Sequence, residues 1–92
     1  MSAEQDVQRG KDALAVLQSP AYIEAYSTLD AALVKAWRDS RDPQDREDLH
    51  RMLGLLSRLQ GVMEGAVRNG QITEKEILRK RNFAERMGLA RG

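Results

Sequence analysis

Apolar residues return every three or four positions along most of the chain and seldom at every second position. This is the period of an α-helix with one buried face, and it predicts an all-α fold with little strand. Prolines at 20 and 43 and the glycines at 70 and 88 punctuate the pattern. The expected architecture is an antiparallel helical hairpin flanked by N- and C-terminal helices, four helical segments in a single domain of residues 1–92.

The first segment runs from about Ala3 to Gln18, with Val7, Leu14 and Leu17 as its apolar line. Gly10 weakens it by about 1 kcal/mol relative to alanine. The second starts at Ser19-Pro20, a capping residue followed by a proline that loses no needed donor. Tyr22, Tyr26, Leu29, Leu33 and the Ala36/Trp37 pair form its stripe, with Ile23 and Val34 beside it.

The stretch "WRDSRDPQDRE", Trp37 to Glu47, carries the densest charge. Asp42 is a good N-cap, Pro43 a good first helical residue, and Asp45 meets the positive end of the next helix. Arg38 suits the negative end of the preceding one. Residues 39–42 therefore read as a turn whose charges compensate helix ends, and the central hairpin spans residues 19–69.

The third segment, Pro43 to about Arg68, is apolar over a wide arc. Leu49, Met52, Leu53, Leu56, Leu59, Met63, Ala66 and Val67 cover most of it, and Leu55 and Val62 widen it further. One neighbouring helix hides less than this, so the segment is expected to meet several helices or another chain. Gly54, Gly61 and Gly65 cluster away from the main stripe and forgo about 2–3 kcal/mol of helix propensity. Either a close helix crossing or a tolerant, bent face accounts for them. Asn69-Gly70 then reads as a stop. Thr73 and Glu76 have capping-box spacing and Ile72 with Ile77 has staple spacing, which predicts a fourth, basic helix over residues 73–88. Leu89 to Gly92 should fray.

Composition adds limits. The 92 residues fit one small core, 41% hydrophobic and 32% charged, with no cysteine for disulfides or thiolate metal sites. The beginning lacks a signal-peptide pattern and no window is apolar enough to span a membrane, so a cytoplasmic location is expected. Residues 68–92 hold seven Lys and Arg against three Glu, a balance of +4, leaving −3 for residues 1–67 within the net +1. The C-terminal region is thus the better contact for an acidic partner.

Catalytic chemistry finds no constellation. His50 is the single histidine and falls opposite the apolar stripe beside Arg51 and Arg58. The acids Asp45, Asp48 and Glu64 are spaced as surface residues, no serine has a histidine partner in a motif, and no phosphate loop exists. No catalytic residue, metal or cofactor is expected, and the protein reads as a non-enzyme.

Self-association is the best-supported expectation, as a homo-oligomer and most simply a dimer. The residues expected to form the core or the self-association surface are Tyr22, Tyr26, Leu29, Leu33, Trp37, Leu49, Met52, Leu56, Leu59, Met63 and Val67. Gly54, Gly61 and Gly65 mark a candidate close-packing face. Arg79, Lys80, Arg81 and Arg86 are candidate contacts for an acidic partner or nucleic acid, although the three adjacent cations point to different sides of a helix. Nucleic acid is the less favoured partner, another assembly protein the more favoured.

Residues 20–72, with Tyr26, Leu29, Ala36-Trp37, the polar turn, Arg46, Leu49, the spaced leucines and Asn69-Gly70, resemble small helical-hairpin proteins encoded among bacteriophage and prophage particle genes. The resemblance covers a little over half of the chain and carries no catalytic residue. It implies a role in head, tail or packaging assembly, in host cytoplasm or within a particle, and it leaves the basic C-terminal segment unassigned.

Overall fold

The structure, a computed structural model, describes residues 2–88. Among them the chain is all-α and forms three helices, α1 (Ala3–Leu17), α2 (Pro20–Asp39) and α3 (Pro43–Arg86). The expected four-segment architecture is therefore corrected. Residues 43–86 are one uninterrupted helix of 44 residues, about 66 Å long, and the basic stretch 73–88 is its final part. The expected fraying of residues 89–92 lies outside the described residues.

Each start has a local cause. Ser2 caps α1 in a complete capping box, accepting from the Gln5 amide while the Gln5 side chain accepts from the Ser2 amide. Pro20 opens α2, with Ser19 at the cap position in extended geometry but making no side-chain capping bond. Asp42 caps α3 by accepting from the Gln44 amide at 3.2 Å, ahead of Pro43. The C-terminal stop is Gly88, whose φ of 71° lies in the left-handed region that glycine enters without a Cβ penalty.

The break expected at Asn69-Gly70 is absent because tertiary contact decides that position. Gly70 is buried, and α1 crosses it at Gly10. A Cβ on Gly10 would stand 2.9 Å from the Gly70 Cα, and one on Gly70 would stand 2.9 Å from the Gly10 Cα. Two glycines that each look like a local weakness form one close helix crossing. The helix propensity they forgo is offset by backbone approach and by the packing of Ala13, the buried hydrophobic residue of this layer. Thr73, Glu76, Ile72 and Ile77, which resembled a helix start, lie inside α3.

α1 and α2 both run antiparallel to α3, one after the other. Lys11 lies 3.9 Å from Glu74 and Gly10 meets Gly70, while Tyr22 reaches Gln60 and Trp37 reaches Arg46. α1 has its most extensive contact with α3 and touches α2 only slightly. The fold is thus a long hairpin with one arm broken at Gln18-Ser19.

The inward positions of α3 are Leu49, Leu53, Leu56, Gln60, Met63, Val67 and Gly70, which are half-buried or buried and alternate in steps of four and three. That is the seam of an antiparallel coiled coil. The result is a rod of 70 × 24 × 17 Å with a radius of gyration of 20.4 Å. A compact domain of this length would have about 12 Å. Two helices side by side enclose little, and the chain's own interior is one side chain deep.

Candidate self-association surface

The turn between α2 and α3 fixes how the two helices face each other. α2 ends at Asp39 with its last carbonyls open, and Arg46, one turn into α3, reaches back across the gap. Its guanidinium donates to the carbonyl oxygens of Trp37 and Ser40 and stacks over the Trp37 ring at 4.3 Å. One planar cation with several donors meets both demands, which an ammonium would not. The charged stretch around the turn therefore contains an internal latch as well as its helix caps.

Along the hairpin the aromatic residues of α2 lie against α3. The Tyr22 hydroxyl donates to Gln60 Oε1 at 2.9 Å and the Tyr26 hydroxyl to the Leu56 carbonyl at 3.4 Å, with ring centroids 6.0 Å apart. Partial burial, followed by the Asp30 carboxylate, the Tyr22 phenol and the Glu64 carboxylate, raises the Tyr26 phenol above its ordinary value of 10.0.

The residues expected in the core or at the surface of association divide into two sets. Tyr22, Tyr26, Leu33, Trp37, Leu49, Leu56, Met63 and Val67 are half-buried in the chain's own seam. Leu29, Met52 and Leu59 are 48%, 49% and 49% exposed, and they have company: Leu55 is 63% and Val62 65% exposed.

These exposed residues form a second row. Met52, Leu55, Leu59 and Val62 follow one another in steps of three, four and three, roughly 90–100° around α3 from the covered seam. On α2 the matching sequence is Ala25, Leu29, Ala32 and Ala36, all exposed. Both rows lie on one side of the hairpin, since Ala36 and Met52 line the same open groove with Leu49, where Ser40, Asp45 and Asp48 form its polar end near the turn. Val62 lines the next groove along, with Arg9 of α1, and Val16 stands one heptad beyond Arg9. The other side of α3 presents His50, Gly54, Ser57, Gly61 and Glu64, all exposed.

The candidate close-packing face is open in the chain. A Cβ on Gly54, Gly61 or Gly65 would meet nothing within 4 Å. The close crossing is instead made by Gly10 and Gly70, whose signal in the sequence was their misfit to otherwise helical patterns. Arg46 and Gln60 also carry structural roles that the apolar pattern does not assign, and Leu53, part of the apolar arc, joins the covered seam; Leu53 and Gln60 were legible from the four-three stepping, and Arg46 was not.

The C-terminal end of α3 projects past the start of α1, which reaches Ile77 and Leu78 through Glu4 and Val7. Arg79, Lys80, Arg81 and Arg86 are exposed there on different sides, with Arg86 5.9 Å from the centre of the Phe83 ring. Among the described residues no group of three His, Cys, Asp or Glu side chains is placed to hold a metal ion, and no helix is long and apolar enough to cross a membrane. Comparison with protein-family models, with curated proteins and with solved structures gives no match for the chain.

Proposed function

We propose that the protein is a non-enzymatic structural or adaptor module that self-associates, most simply as a homodimer. The observation that carries this reading is the uncovered row Met52, Leu55, Leu59 and Val62 on a rod in which Ala13 is the buried hydrophobic residue among the described residues. A chain of this size has little stability to spare, and association lets it complete its core. The resemblance of residues 20–72 to phage and prophage particle proteins gives the reading a setting, an assembly role in host cytoplasm or within a particle. Sedimentation equilibrium at low micromolar concentration tests it: a dimer has twice the 10.4 kDa of the chain.

A second reading, a small DNA-binding accessory in packaging or regulation, draws on the exposed cations of the projecting end of α3. The cations are few and spread around the helix, whereas the apolar row is continuous, and this favours the assembly reading.

A further inference from the structure

We infer that the occupant of the apolar face is a second copy of this chain, and that two central hairpins close into a four-helix core through Leu29, Ala36, Met52, Leu55, Leu59 and Val62. This deepens the self-association reading and rests on it. Reading and inference make separable claims, since a dimer built through another surface would keep the first and remove the second.

Three observations select this face and this occupant. The first is one-sidedness. The rows on α2 and α3 flank a common groove, bounded at its turn end by Ser40, Asp45 and Asp48, while the reverse of the pair offers glycine, serine, histidine and glutamate from α3 and one large exposed apolar residue, Ile23, from α2. A flat helical pair with one apolar side is half of a four-helix bundle.

The second is relief. α3 contributes large side chains, Met52, Leu55, Leu59 and Val62, and α2 contributes Ala25, Ala32 and Ala36 around Leu29. A ridge beside a trough is self-complementary under a two-fold axis, because the ridge of each copy has a trough to enter. The rim carries both signs, with Arg51 and Arg58 beside Glu47 on α3 and Lys35 beside Asp39 on α2. A partner of one strong charge would not need that mixture.

The third is size. Two helices side by side, overlapping along the 20 residues of α2, offer a footprint of roughly 600–800 Å² per copy, against about 800 Å² per partner in a stable dimer. The other exposed apolar residues of α3 lie elsewhere: Ile72, Ile77 and Leu78 stand alongside or beyond α1, and Phe83, with Met87 at the C-cap, is set among the cations of the projecting end.

The test uses the full chain with Leu55→Lys and Val62→Lys together, and as its control Ile72→Lys and Phe83→Lys together. By sedimentation, the first pair should raise the dimer dissociation constant by about a hundredfold or more, and the control by less than about threefold. Should the first pair lose helicity by circular dichroism, single cysteines replace it, with no native cysteine to interfere. Leu55→Cys should be protected from a thiol reagent in the dimer and reactive on dilution, while Ile72→Cys reacts equally in both. A wild-type dimer that survives the Leu55/Val62 pair, or leaves Leu55→Cys fully reactive, overturns the assignment of the face. A wild-type monomer overturns the self-association reading itself.

Discussion

Gly10 and Gly70 meet backbone to backbone, each Cα 2.9 Å from the point where the other residue would carry a Cβ. Real side chains do not tolerate that distance, and the atoms in the way are main chain, which cannot rotate aside. The two residues lie in different helices and are far apart in sequence, yet they set the separation of α1 and α3.

Alanine at either position should therefore destabilise the fold. Gly10→Ala would also approach the Ala66 carbonyl oxygen at 3.0 Å, and Gly70→Ala the Asp6 carbonyl oxygen at 3.1 Å. Helix propensity alone would favour each change by about 1 kcal/mol, and forced separation of the helices should exceed it, for a net loss of about 1–3 kcal/mol. Gly54→Ala and Gly61→Ala, with open space around them, should instead stabilise by about 0.5–1 kcal/mol each. Urea titration of the four variants checks the opposed signs.

That contrast explains what could be read from the sequence. The Asp42 cap and the prolines at 43 and 20 act within a few residues, so the turn at 40–42 and the boundaries of α1 and α2 were legible, although Ser19 makes no capping bond of its own. Asn69-Gly70 also has the local form of a stop, and Thr73 with Glu76 the local form of a start. Both were overruled by a contact from α1, which no local pattern contains. The same holds for the surface: the breadth of the apolar arc on α3 was visible, but its division into a covered seam and an open row required knowing where α2 lies. Leu55 and Val62 widened the arc in the sequence; their exposure makes them part of the proposed face.

Replacing Arg46 should loosen the turn. Arg46→Ala removes the donors to Trp37 and Ser40 and the ring contact together, at a cost of about 1–3 kcal/mol. Arg46→Lys should recover less than half, because an ammonium does not serve both carbonyls while lying flat on the indole. Emission of Trp37, the single tryptophan, should shift toward that of a solvated indole in both variants.

Alkaline pH should weaken the hairpin through Tyr26. Its phenol is raised in the fold, so the unfolded chain loses that proton first as pH increases. The contribution is fully present below a pH of about 10, the unfolded value, and is lost as pH rises through the folded one. Denaturant midpoints measured from pH 8 to 11 should fall less steeply above pH 10 in Tyr26→Phe than in the wild type. Equal slopes would contradict this role.

The projecting cations offer a separate check. Arg79→Glu, Lys80→Glu and Arg81→Glu together should leave self-association within about threefold of wild type, since these side chains flank no part of the apolar row. Duplex DNA at physiological salt should bind wild type more weakly than about 10 μM. Tight binding that falls steeply with added salt and disappears in the triple variant would favour the nucleic-acid reading.

Sedimentation equilibrium of the unmodified chain at low micromolar concentration tests the central claim most directly. A rod with an uncovered row of Met52, Leu55, Leu59 and Val62 should sediment at twice 10.4 kDa, with its monomer appearing only on dilution. A single species of 10.4 kDa across that range would contradict self-association.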